Sequence, residues 1–146
     1  MDAHMLPLVL GGFLPALFYG IAGVIQKASG RAGGSASLYL IGFGCGTLLA
    51  GVIYRQLSSD PPFAARPLAL ALIAGISFAA GAGLISAVLI RFDASVAQLA
   101  PLYNMNTLIT VVLGLTLYAE WANLSVPRLL VGTVAILLGG WLVSSA

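Results

Sequence analysis

Five long apolar runs, none with Asp, Glu, Lys or Arg away from its ends, leave this chain few ways to fold. Crossing roughly 30 Å of hydrocarbon takes about 20 mostly apolar residues in helical form. The runs cover about Met5 to Gln26, Ser37 to Tyr54 (a short one), Pro67 to Ile90, Ser95 to Ala119 and Pro127 to Ser144. A spanning strand would need only about 9–11 residues and would alternate in polarity. These runs do not alternate. The pattern predicts an all-α integral membrane protein, with five transmembrane helices in one domain over residues 1–146.

Composition points the same way. The chain is 60% hydrophobic and 7% charged, with a mean hydropathy of +1.07, where a soluble domain carries about 25% charged residues. The charge of +2 is spread over short loops, which leaves no basic patch for nucleic acid. Cys45, the only cysteine, excludes an intrachain disulfide and reads as a small buried residue. His4, the only histidine, has no companions for a metal site, and no cofactor is expected. The first run lacks a basic leader and is longer than a signal core, so it reads as a retained helix.

The connections carry turn chemistry. "QKASGRAGGSAS" is rich in Gly and Ser, and the Pro pair of "RQLSSDPPFAARP" stops a helix. Ser125 or Asn123 is placed to cap the fifth helix, with Pro127 in its first turn.

Helices in lipid pack where small residues let backbones approach. The third run has Ala71, Gly75, Ala79, Gly83 and Ala87 at every fourth position, the first has Gly12, Ala16 and Gly20, and the second has Gly42 and Gly46. Gly75, Gly83, Gly12 and Gly20 are therefore expected packing positions. Pro15 lies inside the first helix and is expected to kink it, because proline lacks the N–H and crowds the preceding turn.

The fourth run, "APLYNMNTLITVVLGLTLYAEW", is the exception to this apolar uniformity. At about 100° per residue, Tyr103, Asn106, Thr107 and Thr110 share a face, with Asn104 roughly 100° to one side. Such groups should face other helices or a wet cavity, as interhelical hydrogen bonds or as the lining of a path for a small polar solute. Pro101 favours the second reading, since a broken helix at membrane depth is tolerated where it lines a cavity. Glu120, beside Trp121, is expected to anchor the helix end at headgroup depth. The runs offer no acid–base or nucleophile–base pair, so an enzyme is not expected.

"RFDASVAQLAPLYNMNTLITVVLGLTLYAEW" followed by "PRLLVGTVAILLGGWLVS" resembles the EamA-type repeat of the drug/metabolite transporter superfamily. The shared pattern is a small-residue run, a proline (Pro101), an apolar helix ending in Glu (Glu120), and a closing helix with Gly132, Gly139 and Gly140. The match covers the last two helices well and the first two only in hydropathy and length. The resemblance implies a carrier of metabolites or drugs. Most members hold two five-helix repeats of opposite orientation around a central substrate site. This chain has one repeat, half of a ten-helix transporter. It also lacks the acidic residue mid-way along the first helix that couples protons in the related small multidrug exporters.

Loop charges bear on how the other half is supplied. Arg55, Arg66 and Arg128 lie on the N-terminal side, and Lys27, Arg31 and Arg91 on the other. Orientation follows the excess of Lys and Arg on the cytoplasmic side, and three against three gives no excess. Insertion in both directions, and an antiparallel homodimer that rebuilds the inverted repeat, is the expectation. A fixed orientation set by early helices or by a partner is its rival. The functional expectation is a transporter subunit in a bacterial cytoplasmic membrane, moving a small polar metabolite or drug. A non-transporting accessory subunit and a lipid-linked sugar flippase are the alternatives.

Overall fold

The computed structural model describes residues 5–59, 61–119, 121 and 125–145. Among these, every regular element is helical: α1 (Met5–Leu8), a π-helical turn (Val9–Phe13), α2 (Leu14–Arg31), α3 (Ala36–Leu57), α4 (Ala65–Arg91), α5 (Val96–Tyr103), α6 (Asn106–Leu117) and α7 (Val126–Ser144). Five helical stretches are long and apolar enough to cross a membrane: Val9–Arg31, Ala36–Leu57, Ala65–Arg91, Val96–Leu117 and Val126–Ser144. The chain divides into two compact units, Met1–Asp93 and Ala94–Ala146.

The first unit is built on α4, against which α2 and α3 both pack while touching each other little. α3 begins where α2 and α4 end, and Gly30 of α2 lies against Ile90 of α4 at that end. The first helix runs five residues past its expected end at Gln26 and closes on a Schellman turn. Gly33 takes φ +86, its N–H donates to the Gly30 carbonyl, and the Gly34 N–H donates to the Ser29 carbonyl. Glycine relieves the Cβ clash of the left-handed conformation. Lys27 and Arg31 fall in the final turns, where a helix favours cations. Ser35 then caps α3, its hydroxyl accepting from the Leu38 N–H at 3.1 Å.

A π-helical turn over Val9–Phe13 lies just ahead of Pro15, where a kink is expected. Pro15 is in the first turn of α2 and has no N–H for the Gly11 carbonyl. A wider turn over Val9–Phe13 relieves the ring's crowding of that carbonyl.

In the first unit the small-residue ridge is engaged at Gly83, where an added Cβ would sit 3.1 Å from Leu40 Cδ1. Gly12, Gly20, Gly42, Gly46 and Gly75 would each meet nothing within 4 Å among the described residues. Periodicity places them on helix faces, but at these positions no described residue packs closely. Cys45 is exposed, contrary to the buried position expected from its apolar surroundings. It sits between the outward-facing Gly44 and Gly46 on α3.

In the second unit α5 packs on α7. The close approach is at Gly140, whose added Cβ would lie 3.2 Å from the Pro101 carbonyl oxygen. Ser125 occupies the N-cap of α7 without a side-chain cap bond, and Pro127 falls in the first turn. Asn123 lies outside the described residues.

Candidate functional site

The fourth span is broken, and the break comes after Pro101 rather than at it. α5 continues through Pro101 to Tyr103 and α6 starts at Asn106. Between them the hydrogen bonds shorten from four residues to three. The Met105 N–H donates to Leu102, Thr107 to Asn104, and Leu108 to Met105, each at 3.1 Å. The chain is overwound rather than unravelled. A three-residue turn advances about 120° per residue instead of about 100°, so the joint adds roughly 40°. Tyr103 and Asn106 move toward eclipse, and Thr107 turns away from Tyr103. The single face expected from a straight helix is therefore split at Tyr103, which is half-buried while Asn104, Asn106, Thr107 and Thr110 are exposed.

The hydroxyls and carboxamides of this face differ in how they are satisfied. Thr107 Oγ1 donates to the Asn104 carbonyl at 2.9 Å, which ties the joint together. Thr110 Oγ1 donates to the Asn106 carbonyl at 3.1 Å. Neither hydroxyl serves as interhelical glue. The side chains of Tyr103, Asn104 and Asn106 make no hydrogen bond among the described residues. Asn104 follows Val96 by eight residues and Asn106 precedes Leu117 by eleven. At a rise of about 1.5 Å per residue these are roughly 12 and 16 Å from the two ends of the span, so both carboxamides lie at its centre.

A second polar cluster was not legible in the sequence. Gln26, taken there as a helix end, is 8% exposed, and Ser86 of α4 is 1% exposed. Gln26 Nε2 donates to Ser86 Oγ at 2.7 Å and to the Ala82 carbonyl at 3.0 Å. The only signal was one carboxamide and one hydroxyl 60 residues apart. Both of its donors are used within the unit, so this cluster joins helices and offers little to a ligand.

At the same end of the unit, Lys27 Nζ lies 3.1 Å from Asp93 Oδ1 and donates to the Asp93 carbonyl at 3.3 Å. The hydrogen bond from Lys27, then its charge and that of Arg31, hold the Asp93 carboxyl below the ordinary carboxylate range. Asp93 adopts φ +46, a left-handed conformation that Asp tolerates better than most residues. At the opposite end Arg55 folds onto its own loop, donating to the Pro61 carbonyl at 2.8 Å and lying 4.6 Å from the Phe63 ring centre.

Glu120 lies outside the described residues. No described group of three or more His, Cys, Asp or Glu side chains is placed to hold a metal ion. No family model matches the chain, and no curated protein or solved structure matches it.

Proposed function

We propose that this chain is a transporter subunit of a bacterial cytoplasmic membrane, moving a small polar, uncharged solute by alternating access, with no enzymatic step. The observation that carries the reading is the pair of unpaired carboxamides, Asn104 and Asn106, exposed at the centre of an overwound span. Exposed to lipid, each would lack partners at a cost of several kcal/mol. Facing a wet cavity, each offers a donor and an acceptor to a solute. Thr107 and Thr110 are exposed beside them, and Tyr103 lies half-buried where the face splits. The EamA-like pattern of the last two spans supports the same reading. An antiparallel homodimer supplies the second repeat, in keeping with the balanced loop charges.

Counterflow of a metabolite panel into proteoliposomes of the purified chain tests the proposal. Asn106→Leu and Asn104→Leu are expected to abolish or redirect flux at normal insertion, and Tyr103→Phe isolates the hydroxyl. Loss of assembly in parallel with flux would assign these groups to an interface. An absence of flux for every solute would favour the accessory subunit. For the dimer, a C-terminal reporter is expected on both faces of the membrane. A reporter on one face only overturns the antiparallel arrangement.

A further inference from the structure

α2 and α3 lean on α4 and diverge from one another, leaving a cleft of about 460 Å³ in the first unit. Ala22 and Ile25 form one wall, and Leu38, Tyr39, Gly42 and Phe43 the other. The second wall is stiffened by a ladder of rings. Tyr39 stacks on Phe43 at 6.0 Å, and Phe43 on Phe78 of α4 at 5.7 Å. The absent side chain of Gly42 keeps the cleft open. Its rim is Ser29, and from there to Ala22 the helix rises roughly 10 Å. An apolar slot of this depth has no use for a polar solute.

The cleft ends where the unit is most positive. Lys27, Arg31 and Arg91 face a single described acid, Asp93, at this end. Lys27 is neutralised by Asp93, whereas Arg31 and Arg91 close no ion pair among the described residues. Arg91 also lines a second cavity of about 330 Å³, together with Ser35, Ser37 and Ile90. Ser35 and Ser37 share one hydrogen bond at 2.9 Å, which leaves one hydroxyl proton to donate, and a hydroxyl beside guanidinium groups suits a phosphate diester. An ammonium-bearing headgroup would bring a third cation to the two arginines.

We infer that the α2–α3 cleft holds one acyl chain of a resident anionic phospholipid, whose phosphate is met by Arg31 and Arg91. The inference rests on the chain being inserted in a membrane, but not on what it transports. The lipid would complete the wall that α2 and α3 leave open.

The full chain, reconstituted in vesicles of phosphatidylcholine and phosphatidylglycerol, is released and weighed by native mass spectrometry. One phosphatidylglycerol is expected to be retained in preference to phosphatidylcholine. Arg31→Gln and Arg91→Gln should each reduce that preference roughly fivefold. Gly42→Leu should lose the retained lipid altogether. Gly46→Leu, the same bulk on the same helix outside the cleft, should keep it, with helix content by circular dichroism checked for both. Equal retention of the two lipids by the wild type overturns the inference, as does unchanged retention in Gly42→Leu. Displacement by inorganic phosphate alone also overturns it, because the site would then read a free anion. Alkaline carbonate extraction of the membranes separates the failures. A chain that stays in the membrane but holds both lipids equally overturns the lipid site alone, and a chain released by carbonate overturns the membrane reading as well.

Discussion

Replacing Gln26 by Met keeps an unbranched side chain of similar length and removes two interhelical hydrogen bonds. The bonds to Ser86 Oγ and to the Ala82 carbonyl measure 2.7 and 3.0 Å. Hydrogen bonds between membrane helices average about 0.6 kcal/mol, because the separated helices also find partners. Two such bonds give about 1.2 kcal/mol for Gln26→Met. Ser86→Ala removes one and should cost about 0.6 kcal/mol. In Gln26→Met the Ser86 hydroxyl can still turn back to the Ala82 carbonyl one turn below it, so no buried donor is stranded. The double variant should then cost no more than Gln26→Met alone, a coupling of about 0.6 kcal/mol, or roughly threefold in the unfolding constant.

Reversible unfolding in mixed micelles, followed by helix content, reads these differences. Two results would refute the reasoning. A neutral or stabilising Gln26→Met would mean that the contact is packing and the polar pair adds nothing. A double variant that costs the full sum would mean that the two side chains act independently despite their distance.

Gly140→Ala should destabilise by about 1–3 kcal/mol, more than Gly83→Ala, since its new Cβ meets the Pro101 backbone whereas Gly83 meets the movable end of Leu40; equal thermal stability of the two would count against this. The folded Asp93 carboxyl titrates below its ordinary value. The Lys27 bridge is therefore at full strength above the ordinary carboxylate range and is lost as pH falls through the depressed value. Carboxyl chemical shifts should show that low midpoint, and Lys27→Met should raise it toward the ordinary range, with the Arg31 charge still holding it down.

The five spans were legible because charge is excluded from them, a property that needs no partner to read. Their ends were less so. Hydropathy stops the first span at Gln26, while the backbone continues through Lys27 and Arg31 until Gly33 permits the left-handed turn. Long basic side chains are compatible with the last turns of a helix because their stems are apolar and their charges reach water. The polar face at Tyr103–Thr110 was visible as a pattern, but its geometry depended on where the break fell. Pro101 marks a weak point four residues after the orphaned Ala97 carbonyl. The chain then tightens at Asn104, whose carbonyl accepts from both the N–H and the hydroxyl of Thr107. Packing partners were the least legible. Spacing put Gly75 and Gly83 on one face, yet only Gly83 has a neighbour within 4 Å, because periodicity says which residues share a face and nothing about what faces them.

Among the polar side chains of the spans, the two asparagines stand apart. Ser77, Thr110, Thr116 and Thr133 each donate to a carbonyl four residues back on their own helix. One hydroxyl proton and one spare carbonyl lone pair make that solution available anywhere along a helix, without help from a neighbour. A carboxamide cannot be satisfied so simply, since it carries two donors and an acceptor with two lone pairs. Gln26 meets its two donor requirements by reaching α4. Gln98, also exposed, lies two residues from the start of its span and can reach the interface. Asn104 and Asn106 have neither the reach nor the neighbour, and in an inserted chain their place along the helix would be where water is scarcest. In an inserted chain their demand would fall on something outside the described contacts: a hydrated path, a solute in it, the same residues of a second copy, or a partner of different sequence. The first two fit a carrier. The third still brings two such faces together around a common axis, which is how an inverted pair would build a central site.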